Sequence, residues 1–100
     1  MNKLWVDDER PAPAGWDIAR NYDEAIKKLS SVHYDEVSLD HDIASYSPEG
    51  REMTGYDIAL WLANRKIALG EYIPPIVRVH SANPPGRKNI QGVIDRYLNE

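Results

Sequence analysis

The sequence contains no cysteine. That excludes a disulfide framework and a thiolate metal centre, so any cation must be held by carboxylate, imidazole, amide or water. Long apolar stretches are also missing: the longest, Ile58 to Ala63, is six residues, where about 20 are needed to cross a bilayer. There is no basic run, and the formal net charge is -4. A large non-specific nucleic-acid surface requires many Lys and Arg side chains against phosphates, so that class is disfavoured, whereas a small nucleotide or a single RNA end is not. Met1-Asn2-Lys3 leads directly into Leu4-Trp5-Val6 and then three acids, which leaves no room for the apolar stretch of a secretory signal. The chain is expected to be soluble and cytoplasmic, with no membrane contact.

What remains is a globular composition. With 42% hydrophobic and 28% charged residues in 100 positions, one core is affordable and two are not, so residues 1–100 are expected to form one domain. Repeats and linkers are absent from the pattern. Lys3 to Val6 reads as a strand stopped by Asp7-Asp8-Glu9 and Arg10-Pro11, and Trp16 to Arg20 as a second short strand. Asn21 with Glu24 makes a capping box for a helix whose apolar face is Tyr22, Ala25, Ile26 and Leu29. Val37 and Leu39 alternate with polar neighbours before Asp40-His41-Asp42, a third strand that again ends in acids.

Ala44 to Met53 is rich in turn formers and is expected to be a loop, long enough to serve as a lid. Thr54 with Asp57 caps a second helix carrying Ile58, Leu62, Lys66 and Leu69, which Gly70 stops. Ile76 to His80 is a β-branched fourth strand after Pro74-Pro75. Asn83-Pro84 then starts a third helix with the stripe Ile90, Val93, Ile94, Tyr97 and Leu98. Alternating strands and helices imply a parallel open sheet with right-handed crossovers, and in such a sheet ligands bind beyond the carboxyl ends of the strands. With the order 2-1-3-4, the clusters Asp7-Asp8, Asp40-His41-Asp42 and His80-Ser81-Ala82-Asn83 converge on one edge.

Three segments, Leu4-Trp5-Val6-Asp7-Asp8-Glu9-Arg10-Pro11, Ser38-Leu39-Asp40-His41-Asp42 and Val79-His80-Ser81-Ala82-Asn83-Pro84, together resemble the receiver-like domains of cyclic-phosphate processing. The resemblance spans nearly the whole chain, and its specific pieces are the His-Asp and His-Ser-x-Asn elements. It implies a small α/β fold of the flavodoxin or receiver type, with about four parallel strands and three helices, and a phosphoesterase-type activity. The chain departs from signalling receivers in two respects. Too few residues lie between Asp8 and the second strand for a first helix, and the fifth strand with its terminal lysine is missing; Lys88 lies in the last helix and does not match it. Losing that cation weakens the support phosphoryl transfer needs.

The chemistry of these residues points the same way. His41 and His80 are candidates for general acid and base, because imidazole titrates near neutral pH. The plainer alternatives are a solvated loop residue for His41 and, for His80, a strand-end residue bonded to Asp40 or Asp42. Asp40 is expected to orient the imidazoles. Asp7, Asp8 and Asp42, with Asp40, are candidate ligands for one Mg²⁺ or Mn²⁺, since hard cations take oxygen donors; Asp8 as a turn cap is the plainer reading. Ser81 and Arg87 are candidate phosphate ligands at a helix N-terminus, with Arg10 nearby; Asn83 is a cap with a binding role added. Arg51 sits on the expected lid, His33 is expected to be structural, and Trp5, Trp16 and Trp61 to be packing residues.

These expectations combine into an enzyme, a cyclic-phosphate phosphodiesterase acting on an RNA 2',3'-cyclic phosphate or a cyclic mono- or dinucleotide. Two other functions stay open: a module that binds a cyclic nucleotide without cleaving it, and a divergent receiver phosphorylated on Asp40. The apolar run Ile58 to Ala63 either covers the sheet or partly faces a second copy in a homodimer.

Overall fold

A computed structural model describes residues 1–70 and 74–98. In chain order the elements are β1 (Lys3–Val6), β2 (Asp17–Ala19), α1 (Tyr22–Ser31), β3 (Glu36–Leu39), β4 (Ser45–Tyr46), β5 (Glu52–Met53), α2 (Gly55–Ala68), β6 (Ile76–Val79) and α3 (Pro84–Val93). A π-helical turn over Ile94–Leu98 prolongs α3. The main sheet is parallel in the order β2-β1-β3-β6. That is the order expected from sequence, the fourth sheet strand being β6.

The caps act as their residue types dictate. Asn21 Oδ1 accepts the Glu24 N–H at the start of α1, and Thr54 and Asp57 form the full reciprocal box at α2. Asn83 Oδ1 accepts the Gly86 N–H at α3, with prolines following at the positions where a missing N–H costs nothing. Leu4, Val6, Val37, Leu39 and Val77 face the helices, where Leu29, Ile58, Leu62, Ile90 and Ile94 cover them in one core. Within the run Ile58 to Ala63, Ile58, Ala59, Leu62 and Ala63 are buried and Leu60 and Trp61 pack against that core, so the run covers the sheet.

The segment Ala44 to Met53 is more ordered than a loop. Ser45 and Tyr46 pair antiparallel with Met53 and Glu52, so the expected lid is a small hairpin. Its turn formers close it: Ser47 N donates to the Arg51 carbonyl, Gly50 N donates to the Ser47 carbonyl, and Gly50 takes φ +85. Tyr22 N donates to Ser45 Oγ at 3.3 Å, tying the hairpin to α1.

Candidate functional site

The register of the sheet sets the site. Side chains alternate between faces, and paired residues of parallel strands share one. Leu4 and Val6 face the helices, so Trp5 with its partners Ile18, Ser38 and Arg78 faces away. The ladder runs one residue past the strands, because Asp7 N donates to the Ala19 carbonyl, Asp40 N to the Val6 carbonyl and His80 N to the Leu39 carbonyl. Asp7, Asp40 and His80 are thereby placed side by side on the helix-free side at the carboxyl rim. One ligand atom from each lies within 4.8 Å of the others.

His80 is held on every side. Its Nε2 meets Asp7 Oδ2 at 3.1 Å, its Nδ1 meets Ser38 Oγ at 2.7 Å, and its ring stacks on Trp5 with centroids 3.8 Å apart. Burial pushes the imidazole below its ordinary value, against the opposing pull of the Asp7 and Asp40 charges. Asp7 is buried, which alone would raise it. The backbone N–H groups of Arg10 and Glu9 on its Oδ1, with His80 on its other oxygen, outweigh burial and hold it below the usual carboxylate range. Asp40 is pushed the other way, first by burial and then by the charge of Asp7, although the His41 N–H, His80 and Ser81 partly offset this. The two neighbouring carboxyls are therefore driven apart, one ionised and one reluctant to ionise.

His41 belongs to a second group. Its Nδ1 lies 2.9 Å from Asp42 Oδ1, and the opposite oxygen of Asp42 accepts Asn83 Nδ2 at 3.2 Å. The His41 hydrogen bond, which exceeds the small effect of burial, and then Asn83 hold Asp42 below its ordinary value. Among the described residues nothing bonds His41 Nε2. The two groups adjoin at Asn83: its N–H donates to Ser81 Oγ at 3.1 Å, and Ser81 helps favour the charged form of Asp40. A run of polar contacts thus leads from His41 through Asp42 and Asn83 to Ser81.

Two glycines permit this packing. A Cβ on Gly86 would sit 2.3 Å from the His41 ring, and one on Gly55 would overlap the Asp40 carbonyl oxygen at 1.9 Å. Helix α2 can therefore bring its N-terminus against the Asp40-His41 backbone, and α3 its first turn against the His41 ring. Ala44, two residues past Asp42, adopts φ 47, a conformation uncommon for a residue with a Cβ, and turns the chain into the hairpin.

The remaining sequence candidates lie apart or at the margin. Asp8 is half-buried, and among the described residues no hydrogen bond or ion pair joins it to the cluster. Arg10 reaches the His80 carbonyl at 3.4 Å from the rim. Arg87 is exposed in the first turn of α3. Arg51 pairs with Asp57 at 3.2 Å, and His33 is largely exposed near Asp35. The set that binds the cluster together includes four residues the sequence did not single out for it. Ser38 and Trp5 hold the His80 ring, and Gly86 seats His41. Arg20 donates to the carbonyls of Asp7 and Arg10, at 3.0 and 2.8 Å, and fixes the acidic loop. Little in the sequence foreshadowed them, since Ser38 reads, with Glu36, as a polar position of an ordinary alternating strand.

Among the described residues no helix is long and apolar enough to cross a membrane. No curated protein and no solved structure matches the chain. A family match covers residues 2–96 and carries the three strand-end clusters with it: the chain belongs to the family of cyclic-phosphate processing receiver domains.

Proposed function

We propose that the domain is a phosphoesterase that opens a cyclic phosphate by hydrolysis, with His41 moving the first proton. The observation that carries this is the Asp42-His41 pair at 2.9 Å, which among the described residues leaves Nε2 without a partner one residue along the chain from Asp40 of the Asp7-Asp40-His80 group. Asp42 fixes the ring orientation and favours the proton on Nδ1, so Nε2 is the basic atom. In the reaction a water oxygen bonds to phosphorus while its proton passes to His41 Nε2. One ring P–O bond breaks, and the leaving oxygen takes a proton from Asp40, whose carboxyl is raised by burial and by Asp7. The product is a phosphomonoester.

His80 is better suited to positioning, since both ring nitrogens are engaged. It holds Asp7 against Asp40 and so maintains the difference between the two carboxyls. Ser81, buried close to Asp40, and the exposed Arg10 and Arg87 supply donors to phosphate oxygens. Asp7, Asp40 and His80 also fit a divalent cation, with Ser38 on the far ring nitrogen as the usual outer partner of a ligating histidine. The mixed oxygen and nitrogen set suits Mn²⁺ better than Mg²⁺. Such a cation would neutralise phosphate charge, and Asp40 would then be a ligand and not an acid.

The test is incubation with cyclic mononucleotides, cyclic dinucleotides and RNA ending in a 2',3'-cyclic phosphate, with EDTA and with added Mn²⁺. A ring-opened monoester is expected, with turnover reduced about 10²–10⁴-fold in His41→Ala. Inhibition by EDTA assigns Asp40 to the cation and insensitivity assigns it to proton donation. The reading fails if no cyclic phosphate is opened or if His41→Ala is as active as the parent.

A further inference from the structure

Ser38, His80 and Asp7 form one hydrogen-bonded line on the helix-free side of the sheet. Oδ1 of Asp7 accepts the backbone N–H groups of Glu9 and Arg10, and its Oδ2 faces His80 Nε2 at 3.1 Å. A carboxylate used in this way only accepts, so Nε2 carries the ring hydrogen and the lone pair is left on Nδ1. Ser38 Oγ lies 2.7 Å from that nitrogen and donates its proton to it. The ring between them lies flat against Trp5, with centroids 3.8 Å apart.

A hydroxyl, a base holding its proton and a carboxylate orienting the base are the three parts of an activated nucleophile. In the familiar arrangement the serine faces Nε2 and the carboxylate faces Nδ1. Here the nitrogens are exchanged, which leaves each part its task, because neutral imidazole offers one donor and one acceptor nitrogen either way round. Ser38 is 4% exposed, so water competes little for the bond to His80. Arg78 is its register partner on β6 and lies on the same face of the sheet. Its Nε is held by Glu36 at 2.8 Å while the side chain stays 64% exposed.

We infer that Ser38 is a nucleophile activated by His80 and Asp7, and that the domain hydrolyses small uncharged carboxylic esters through an acyl-serine. Ser38 Oγ bonds to the acyl carbon as its proton passes to His80 Nδ1. The bond to the alkoxy oxygen breaks, and the departing alcohol takes that proton. Water then attacks the acyl carbon, its proton passing through Nδ1 to the released Oγ, and the carboxylic acid leaves. The Arg78 guanidinium supplies donors to the oxyanion of each step. Asp7 and Asp40 stand beside His80, with one ligand atom of each of the three within 4.8 Å of the others, which disfavours an anionic electrophile and spares an uncharged one. The slight exposure of Ser38 limits the acyl group to a small one. This activity is separate from the phosphoesterase reading, because its protons move through Nδ1 of His80 and not through His41.

The test treats the whole protein with an alkyl fluorophosphonate, an uncharged serine reagent, in EDTA, because a cation on Nε2 takes the nitrogen that faces Asp7. The intact mass should rise by one phosphonyl group with loss of fluoride, and tandem mass spectrometry should place that group on Ser38. Protein unfolded in urea should not react. Ser31→Ala, which removes an exposed serine bonded to the Lys27 carbonyl, should react like the parent. Hydrolysis of 4-nitrophenyl acetate should fall by about 10³-fold or more in Ser38→Ala, with a smaller loss in Arg78→Gln.

No adduct, an adduct on another residue, or ester hydrolysis unchanged in Ser38→Ala overturns the proposal. Urea unfolding shows whether the alanine variant keeps its fold, and if it does not, the site of the adduct in the parent decides alone.

Discussion

His80 lies flat on Trp5, with ring planes 9° apart, while its two nitrogens are held by Ser38 and Asp7. Asp7 is ionised over the neutral range, so Nε2 carries the hydrogen toward it and Nδ1 accepts from the Ser38 hydroxyl. Burial, the larger influence, keeps this neutral form favoured down to lower pH than the ordinary 6.5.

The consequence is a stability that depends on pH in a stated window. Just below pH 6.5 the unfolded chain binds the His80 proton and the folded chain does not, so stability is full above that value and is lost as pH falls through the folded midpoint. Histidine NMR titration should place His80 below 6.5, and urea unfolding at pH 7 and pH 5 should show a larger loss for the parent than for His80→Gln. Equal losses in the two proteins would contradict this origin.

Asp40 gives the opposite sign. Its folded value is raised from 3.8 by burial and by Asp7, so between 3.8 and the folded midpoint the native state binds more protons. Stability from this residue therefore falls as pH rises through that interval. Asp40→Asn keeps an oxygen to accept the His41 N–H and removes the repulsion with Asp7. It should stabilise the fold at pH 7 by on the order of 1 kcal/mol, a rise in Tm of about 4–8 °C for a domain of this size. The advantage should vanish below pH 3.8 and ring opening should fall sharply. A variant less stable than the parent at pH 7 would show that Asp40 is stabilised by more than its protein neighbours.

The sequence made the frame of this site legible and left its wiring obscure. Short β-branched runs ending in acids, and caps at Asn21, Thr54 and Asn83, are local signals, and they sufficed for the sheet order and the shared rim. Contacts that join distant residues left no such trace: Ser38 reaches His80 across 42 positions and Asp7 reaches it across 73. The difference between Asp7 and Asp8 is one of strand alternation, since the residue after Val6 continues on the His80 side and the next does not. The hairpin escaped notice because two-residue strands are shorter than any periodicity can register. The close approaches at Gly55 and Gly86 depend on how helices pack, which their own sequence does not encode.

Gly86 offers a test that separates packing from helix propensity. A methyl group there would meet the His41 ring at its root, not at a mobile tip, so the ring must leave Asp42. Gly86→Ala should cost about 1–3 kcal/mol in urea unfolding and reduce ring opening to the level of His41→Ala. Gly92→Ala, in the same helix with nothing within 4 Å of the added atom, should stabilise by about 0.5–1 kcal/mol with unchanged activity. If both variants behave alike, the contact with His41 is not what sets the requirement for glycine at 86.

Asn83 carries two tasks on opposite atoms of one amide. Its Oδ1 caps α3 through the Gly86 N–H, and its Nδ2 holds Asp42, which in turn orients His41. Serine can perform the first task and cannot reach for the second. Asn83→Ala should therefore lose about 1 kcal/mol of stability together with activity, whereas Asn83→Ser should recover most of the stability and little of the activity. With Nδ2 gone, Asp42 loses one of the contacts that hold it below its ordinary value, so the acidic limb of the pH-rate profile should move to higher pH in both variants. A serine variant with full activity and an unmoved profile would show that the cap alone accounts for Asn83, and that Asp42 positions His41 without help.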